Sequence, residues 1–539
     1  MTCRPSTPVA TGAGLVALAA LALQAAPAAG QNGYSFLDAA TSPIDYRRAT
    51  VRPQAACRDL AGTRGELTIL AAETVPGVDG VPEHCRVTGV IAPEIRFEVN
   101  LPAAWNRRFY MHGNGGFAGE NLDAPPRAAA RANALRHGFV SAQTNTGHDA
   151  AREPLATFAA TYQKQVDYAF RAVHVTARTA KAIARRYYDR PVAFSYWDGC
   201  STGGRQALMS AQRFPQDFDG IIAGAPVLNF VDTTINGLWL SRALAEAPVG
   251  KAKLRTVAGA VYARCDALDG LADGIIDDPR RCDFDPARDV PRCAAGQDGD
   301  DCLTEAQAGA LKAVYSGPVS VGKPYFFGMP VGIEKEGTPL FGPPTPVTGW
   351  DRWMIADGGQ KPIQLAYAES FMQHLAFGRS DPAWKWQSFD FDKDPARTAE
   401  MRRLINATDP DLSAFKARGG KLLMYFGWAD PALTPFMGVD YYEKALAANG
   451  PETREFFRLF MVPGMFHCRG GVGPDRFDAL TPLVNWVENG VAPQRLTASL
   501  MAQGRVKMSR PLCPYPQVAR HGGAGSTDEA AGFVCRDPP

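Results

Sequence analysis

The stretch Gly199-Cys200-Ser201-Thr202-Gly203 sets a serine between two glycines and is the first part of the chain equipped for covalent chemistry. A serine hydroxyl attacks only when a base takes its proton, and flanking glycines let the backbone turn sharply enough to lift that hydroxyl off a strand end. Downstream, Asp430 follows the apolar run 421–427 and His467 follows the run 456–462. An acid and an imidazole at the tips of two later strands could form a relay in which His467, oriented by Asp430, deprotonates Ser201. The chemistry would be acyl transfer. A second loop, His112-Gly113-Asn114-Gly115-Gly116-Phe117-Ala118-Gly119, lies between an early strand and a helix. Backbone N–H groups that no side chain shields could hold a developing oxyanion there. No G-K-[ST] follows, which argues against a phosphate-cradling loop.

Ser201 needs a strand behind it and a helix ahead. Residues 192–197 read as a buried strand, and residues 207–215 as a helix stopped by proline. Residues 219–226 read as the next strand, and the alternation of strand, helix and strand predicts a parallel sheet covered on both faces. The fold class is therefore α/β, and the chain order Ser201, Asp430, His467 is that of the α/β-hydrolase fold. Upstream, residues 67–74, 85–92 and 95–102 form an antiparallel start to the sheet, the last with period-two alternation. Residues 138–143 add a strand, and an amphipathic helix over roughly 168–188 leads into the elbow strand. His148, in the loop after 138–143, reads as a residue that orders the loop rather than as the base. From Val227 the alternation stops until Lys421. Residues 227–420 are expected to be a lid inserted into a catalytic domain made of 31–226 and 421–539, and such insertions supply substrate pockets.

With 539 residues the chain is too long for one ordinary core. Its 57 basic and 55 acidic residues leave a charge of +2 with no long run of either sign, so neither nucleic acid nor an anionic membrane is expected as a partner. Residues 1–30 resemble a secretory signal: Arg4, an apolar run over 12–25, then Ala26-Pro27-Ala28-Ala29-Gly30 as cleavage sites. The apolar run is short of the roughly 18–20 residues of a membrane span. Cys3 would leave with the signal, and ten cysteines remain, an even number that in an exported chain favours five disulfides. Sequence alone does not set the pairing. Closeness suggests Cys57 with Cys85, Cys265 with Cys282, Cys293 with Cys302 and Cys513 with Cys535, which leaves Cys200 and Cys468 for each other. A bridge there would tie the proposed nucleophile and base to one covalent frame, and closing so long a loop is worth about 5 kcal/mol in the chain-entropy model. A thiol mechanism at Cys200 would need that cysteine free. No C-x-x-C pair favours zinc.

One part of the insertion has metal-binding character. In Cys265-Asp266-Ala267-Leu268-Asp269-Gly270-Leu271-Ala272-Asp273-Gly274-Ile275 the carboxylates of Asp266, Asp269 and Asp273, separated by glycines and bracketed by Cys265 and Cys282, suit Ca²⁺, a hard cation that takes about 6 to 8 oxygens. The spacing is not that of an EF-hand.

Cys200-Ser201, Asp430 and His467-Cys468 together resemble the CS-D-HC arrangement of the tannase and feruloyl esterase family, which also contains hydrolases of mono-(2-hydroxyethyl) terephthalate. Gly113 to Gly119, Gly199 to Gln206, the Asp/Gly loop, Gly473-Pro474-Asp475-Arg476-Phe477-Asp478-Ala479-Leu480 and Pro511-Leu512-Cys513-Pro514-Tyr515-Pro516 extend the resemblance over nearly all of the mature chain. It implies a secreted or periplasmic serine esterase with a lid, a small aromatic ester as substrate, five disulfides paired as above and a structural Ca²⁺. By similarity the cation is held by side chains of Asp266, Asp269 and Asp273 and carbonyls of Leu271 and Ile275. The oxyanion donors implied are the backbone N–H groups of Gly116 and Thr202. The sequence departs from the family beside Asp430: Phe426-Gly427 stands where relatives often carry His-Gly, and Leu433 where the terephthalate-type enzymes have an aromatic residue.

Overall fold

A ten-stranded mixed sheet carries the candidate residues in a computed structural model that describes residues 34–47, 50–340 and 345–538. The expected signal segment lies outside the described residues. The strands are β1 (Gly62–Arg64), β2 (Leu67–Val75), β3 (His84–Ile91), β4 (Ile95–Pro102), β5 (Arg108–His112), β6 (Val140–Thr144), β7 (Phe194–Cys200), β8 (Gly220–Gly224), β9 (Lys421–Gly427) and β10 (Phe457–Val462). Their spatial order is β1-β2-β3-β4-β6-β5-β7-β8-β9-β10. Neighbours from β1 to β4, and β4 with β6, run antiparallel, while every neighbouring pair from β6 to β10 is parallel. This is the α/β-hydrolase fold. β5, β7, β8 and β9 are buried along almost their whole length, as strands covered on both faces must be.

Between the strands run α1 (Pro125–Arg136), α2 (Tyr162–Val166), α3 (Ala172–Tyr188) and α4 (Thr202–Arg213). The helix expected over 168–188 begins earlier, at Tyr162, where the Thr161 side chain caps it. α2 passes into α3 through a π-helical turn at Asp167–Arg171. Within that turn the carbonyls of Tyr168 and Ala169 accept from the buried Arg205 guanidinium of α4, at 3.2 and 2.8 Å. The elbow strand also runs further than expected. Its ladder with β8 continues to Cys200 opposite Gly224, and α4 starts at Thr202, so Ser201 alone is the turn.

No strand of the sheet comes from residues 225–420. That stretch holds α5 (Phe230–Glu246), α6 (Lys251–Cys265), α7 (Glu305–Ser316) and α8 (Ile363–His374), with two short two-residue ladders. α7 begins one residue inside the expected 304–315, where Thr304 and Gln307 form a capping box. α5, α6 and α7 enclose a second apolar core with Leu240, Leu254, Val257 and Leu311, which also takes in Ala429 and Phe466. These two residues directly precede Asp430 and His467, so the insertion packs on the loops that carry both. Past residue 490 two hairpins, Leu496–Ala502 with Arg505–Leu512 and Val518–His521 with Phe533–Arg536, complete the chain; the sequence reading did not anticipate them. No helix among the described residues is long and apolar enough to cross a membrane.

Candidate active site

Register delivers the three candidate side chains to one edge of the sheet. Cys200 pairs with Gly224, Gly224 with Tyr425, and Gly427 with Val462, so β7, β8, β9 and β10 end near one line. Ser201 follows β7 directly, Asp430 comes three residues after β9, and His467 five after β10. Ser201 holds φ 64° and ψ −121°, a strained conformation for a residue with a Cβ. Its N–H donates to the Gly224 carbonyl at 3.0 Å, and its carbonyl accepts from Arg205 and Val227 at 3.0 and 3.3 Å. The glycines are there for space. A Cβ on Gly199 would lie 2.6 Å from the carbonyl carbon and oxygen of Gly203.

Asp430 is fully buried. Its Oδ1 accepts the N–H groups of Ala432 at 2.8 Å and Leu433 at 2.9 Å, and its Oδ2 lies 2.8 Å from His467 Nδ1. Two backbone donors on one oxygen aim the other at the imidazole. Gly427 is required in this strand because a Cβ there would collide with the Met465 carbonyl, which also accepts from Ala429 at 3.2 Å. Trp353, from the insertion, stands edge-on to the imidazole with ring centroids 5.5 Å apart at 81°.

All five expected disulfides are present, the four suggested by closeness, Cys57–Cys85, Cys265–Cys282, Cys293–Cys302 and Cys513–Cys535, and the remaining pair Cys200–Cys468. Cys200 and Cys468 have Cα atoms 6.0 Å apart. Ser201 and His467 are each the next-door neighbour of a bridged cysteine, which limits how far the imidazole can drift from the hydroxyl.

The glycine loop after β5 is clamped from several sides. Glu120 accepts from Gly115 N–H at 2.9 Å and from the Asn114 amide at 2.6 Å, and pairs with Arg127. Gln206 on α4 exchanges hydrogen bonds with the Asn114 backbone N–H and side-chain oxygen at 3.0 and 3.1 Å. The Gly116 carbonyl accepts from Tyr168 Oη at 2.8 Å and from the Thr202 hydroxyl. Among the described residues no acceptor takes the N–H of Gly116 or of Thr202, the latter being one of the orphan donors of a helix start. His112 sits behind the loop, its Nδ1 2.8 Å from Arg127, with burial and that guanidinium holding its pKa well below the usual value. Neither Glu120, Arg127 nor Tyr168 stood out in the sequence as a loop partner; His112 did, as the first residue of the glycine loop, and Gln206, as part of the elbow motif.

His148 is buried and stacked on Phe158 with centroids 4.1 Å apart, and burial, reinforced by Lys164, pushes its pKa down to about 4. It is a neutral packing residue beneath Gly119. Under the elbow, Asp198 accepts from Tyr110 Oη at 3.0 Å and from the Ser35 hydroxyl. Burial lifts its carboxyl to about 6 against the pull of those hydroxyls, and Asp478 adds to the rise.

The acidic loop folds as a tight turn after α6. Asp266 accepts from Gly274 and Ile275 N–H, Asp269 from Leu271 N–H at 3.0 Å, and Asp273 from Ile275 N–H at 3.2 Å. Asp273 also pairs with Arg510 at 2.6 Å, and Arg520 donates to the Asp269 carbonyl at 2.6 Å. Asp277, which the sequence reading did not single out, has its carboxyl driven well above the usual range by burial and then by Asp269 and Asp273. The donors are oxygens and the carboxylates repel one another, which suits a hard cation, yet among the described residues no three of these groups converge as a closed cage.

A strained serine just past the central parallel strand β7, with an acid–imidazole pair in the loops after β9 and β10, defines an α/β-hydrolase with a large insertion after β8. The profile of the tannase and feruloyl esterase family matches residues 79–536. Mono(2-hydroxyethyl) terephthalate hydrolase of Piscinibacter sakaiensis is 36% identical over 535 residues, covering 87% of each chain, and feruloyl esterase B of Aspergillus niger is 30% identical over 523 residues, covering 91% of this chain and 94% of that one. The crystal structure of feruloyl esterase B from Aspergillus oryzae superimposes with a TM-score of 0.76 at 26% identity over 89% of this chain and all of that one. The chain belongs to the tannase and feruloyl esterase family and is a carboxylic ester hydrolase.

Proposed function

We propose that this enzyme is an exported serine esterase that cleaves esters of aromatic acids, of feruloyl, galloyl or terephthalate-monoester type, through an acyl-enzyme. The observation that carries the mechanism is the Asp430–His467 contact of 2.8 Å set beside the Cys200–Cys468 bridge, which brings the residue before Ser201 and the residue after His467 together. Asp430 keeps the proton of His467 on Nδ1, so Nε2 offers a lone pair to the Ser201 hydroxyl. Ser201 attacks the ester carbonyl, the oxyanion draws on the N–H groups of Gly116 and Thr202, and His467 passes the proton to the departing alcohol. Water, activated by the same imidazole, then releases the acid. Phe117, Tyr367 and Trp353 border the oxyanion loop and the imidazole with aromatic surface, which suits an aryl acyl group. Five disulfides fit an oxidising compartment. Ca²⁺ at Asp266, Asp269 and Asp273, with the carbonyls of Leu271 and Ile275, is supported by the oxygen-only donor set and the mutual repulsion of the carboxylates; its role is to hold the insertion, with no part in bond breaking.

Ser201→Ala tests the reading. Hydrolysis of methyl ferulate, methyl gallate and a terephthalate monoester should vanish while the melting curve stays unchanged. Retained turnover on any of the three would end the assignment of Ser201.

A further inference from the structure

α8 of the insertion lies against the glycine loop, and Tyr367 on that helix reaches Gly116. Its ring stands edge-on to Phe117 with centroids 4.8 Å apart at 64°. Its hydroxyl is so close that a Cβ on Gly116 would collide with the Tyr367 oxygen. The Gly116 carbonyl is held by Tyr168 and Thr202, and Glu120 takes Gly115 N–H and the Asn114 amide, which leaves the Gly116 N–H without an acceptor among the described residues. Tyr367 is half-buried, and no group among the described residues hydrogen-bonds its hydroxyl. The ring packs in this cluster as a phenylalanine would; the hydroxyl adds a polar group that the aromatic contacts do not use. A donor set there, against the backbone of the oxyanion loop, has the substrate's acyl carbonyl as its natural acceptor.

We infer that Tyr367 donates a third hydrogen bond to the acyl carbonyl oxygen beside the N–H groups of Gly116 and Thr202, so that the oxyanion hole is completed by a side chain from the insertion. The inference rests on Ser201 as nucleophile. No proton changes hands: the carbonyl oxygen gains charge as the Ser201 Oγ–C bond forms, and the phenolic hydrogen bond becomes charge-assisted and strengthens in the transition state. Burial lifts the Tyr367 phenol to about 12, so it remains a donor across the neutral range.

Tyr367→Phe removes only the oxygen. On methyl ferulate, kcat should fall by about 10- to 100-fold with KM within about twofold. Affinity for an arylboronic acid, which forms a tetrahedral adduct on the serine, should fall by the same factor as kcat/KM, while affinity for the product acid holds. Tyr367→Leu, which lacks the hydroxyl and packs differently, should lose kcat to the same extent, so the inference stays testable if the phenylalanine variant melts early. Wild-type kcat in either folded variant, or a loss carried by KM alone, or boronate and acid affinities falling together, would overturn it. With Ser201→Ala inactive, such a result removes the role of Tyr367 only; an active Ser201→Ala removes both readings.

Discussion

Asp430→Asn should disable the enzyme by setting the wrong tautomer on His467, because the two oxygens of Asp430 do different work. Oδ1 accepts two backbone N–H groups, from Ala432 and Leu433, while Oδ2 faces His467 Nδ1 at 2.8 Å. An asparagine amide cannot turn its NH₂ toward two donors, so its oxygen takes the Oδ1 place and its NH₂ faces the imidazole. Nδ1 must then accept, the ring proton moves to Nε2, and no lone pair is left for Ser201. A mis-set tautomer in a triad lowers kcat by about 10⁴, or about 5.5 kcal/mol of barrier at 1.36 kcal/mol per decade. KM should not change, since Asp430 is fully buried behind the imidazole and does not meet substrate. The melting curve should also hold, because every hydrogen bond is kept with a donor and an acceptor exchanged. The assay is steady-state hydrolysis of methyl ferulate at pH 7 to 8, with tryptophan fluorescence to follow unfolding. A loss under about tenfold with folding intact would refute the orienting role given to Asp430.

Two further consequences concern stability. The folded Asp198 carboxyl titrates near 6 against an ordinary 3.8, so the stability it contributes is complete below about pH 4 and is lost as pH rises through about 6. The span is worth about 3 kcal/mol. Asp198→Asn, which never ionises, should therefore gain in melting temperature relative to the wild type between pH 4 and pH 7; a difference that stays flat with pH would contradict a buried, reluctant acid at this position. Chelation offers the second check: with Ca²⁺ at 100-fold its dissociation constant the folded state gains about 2.7 kcal/mol. EDTA should lower the melting temperature and the Asp269→Ala/Asp273→Ala double variant should abolish that shift, whereas identical melts with and without Ca²⁺ would leave the acidic loop without a cation.

That Ser201, Asp430 and His467 lie just past strand ends was legible because each closes a local pattern, a run of apolar residues ended by a turn, and such patterns are written in consecutive residues. The strands β3, β4 and β9 were readable for the same reason; four cysteine pairs were suggested by closeness in the chain, whereas Cys200 and Cys468, 268 residues apart, were paired only because they were left over. What only the tertiary structure decided is how separate patterns meet. The strand order, with β6 between β4 and β5, follows from side packing and crossovers that no local period encodes. The length of the elbow strand was set by its ladder with β8, which overrode the turn-forming character of Asp198 and Gly199. The clamp of Glu120, Arg127 and Gln206 on the glycine loop, the charge-averse burial of Asp198, the π turn that carries Tyr168 to Gly116 and the reach of Tyr367 from the insertion each join residues far apart in the chain. A hydrogen bond depends on where two side chains lie in space, and a single glutamate or tyrosine carries no mark in its neighbours of the partner that folding will bring to it.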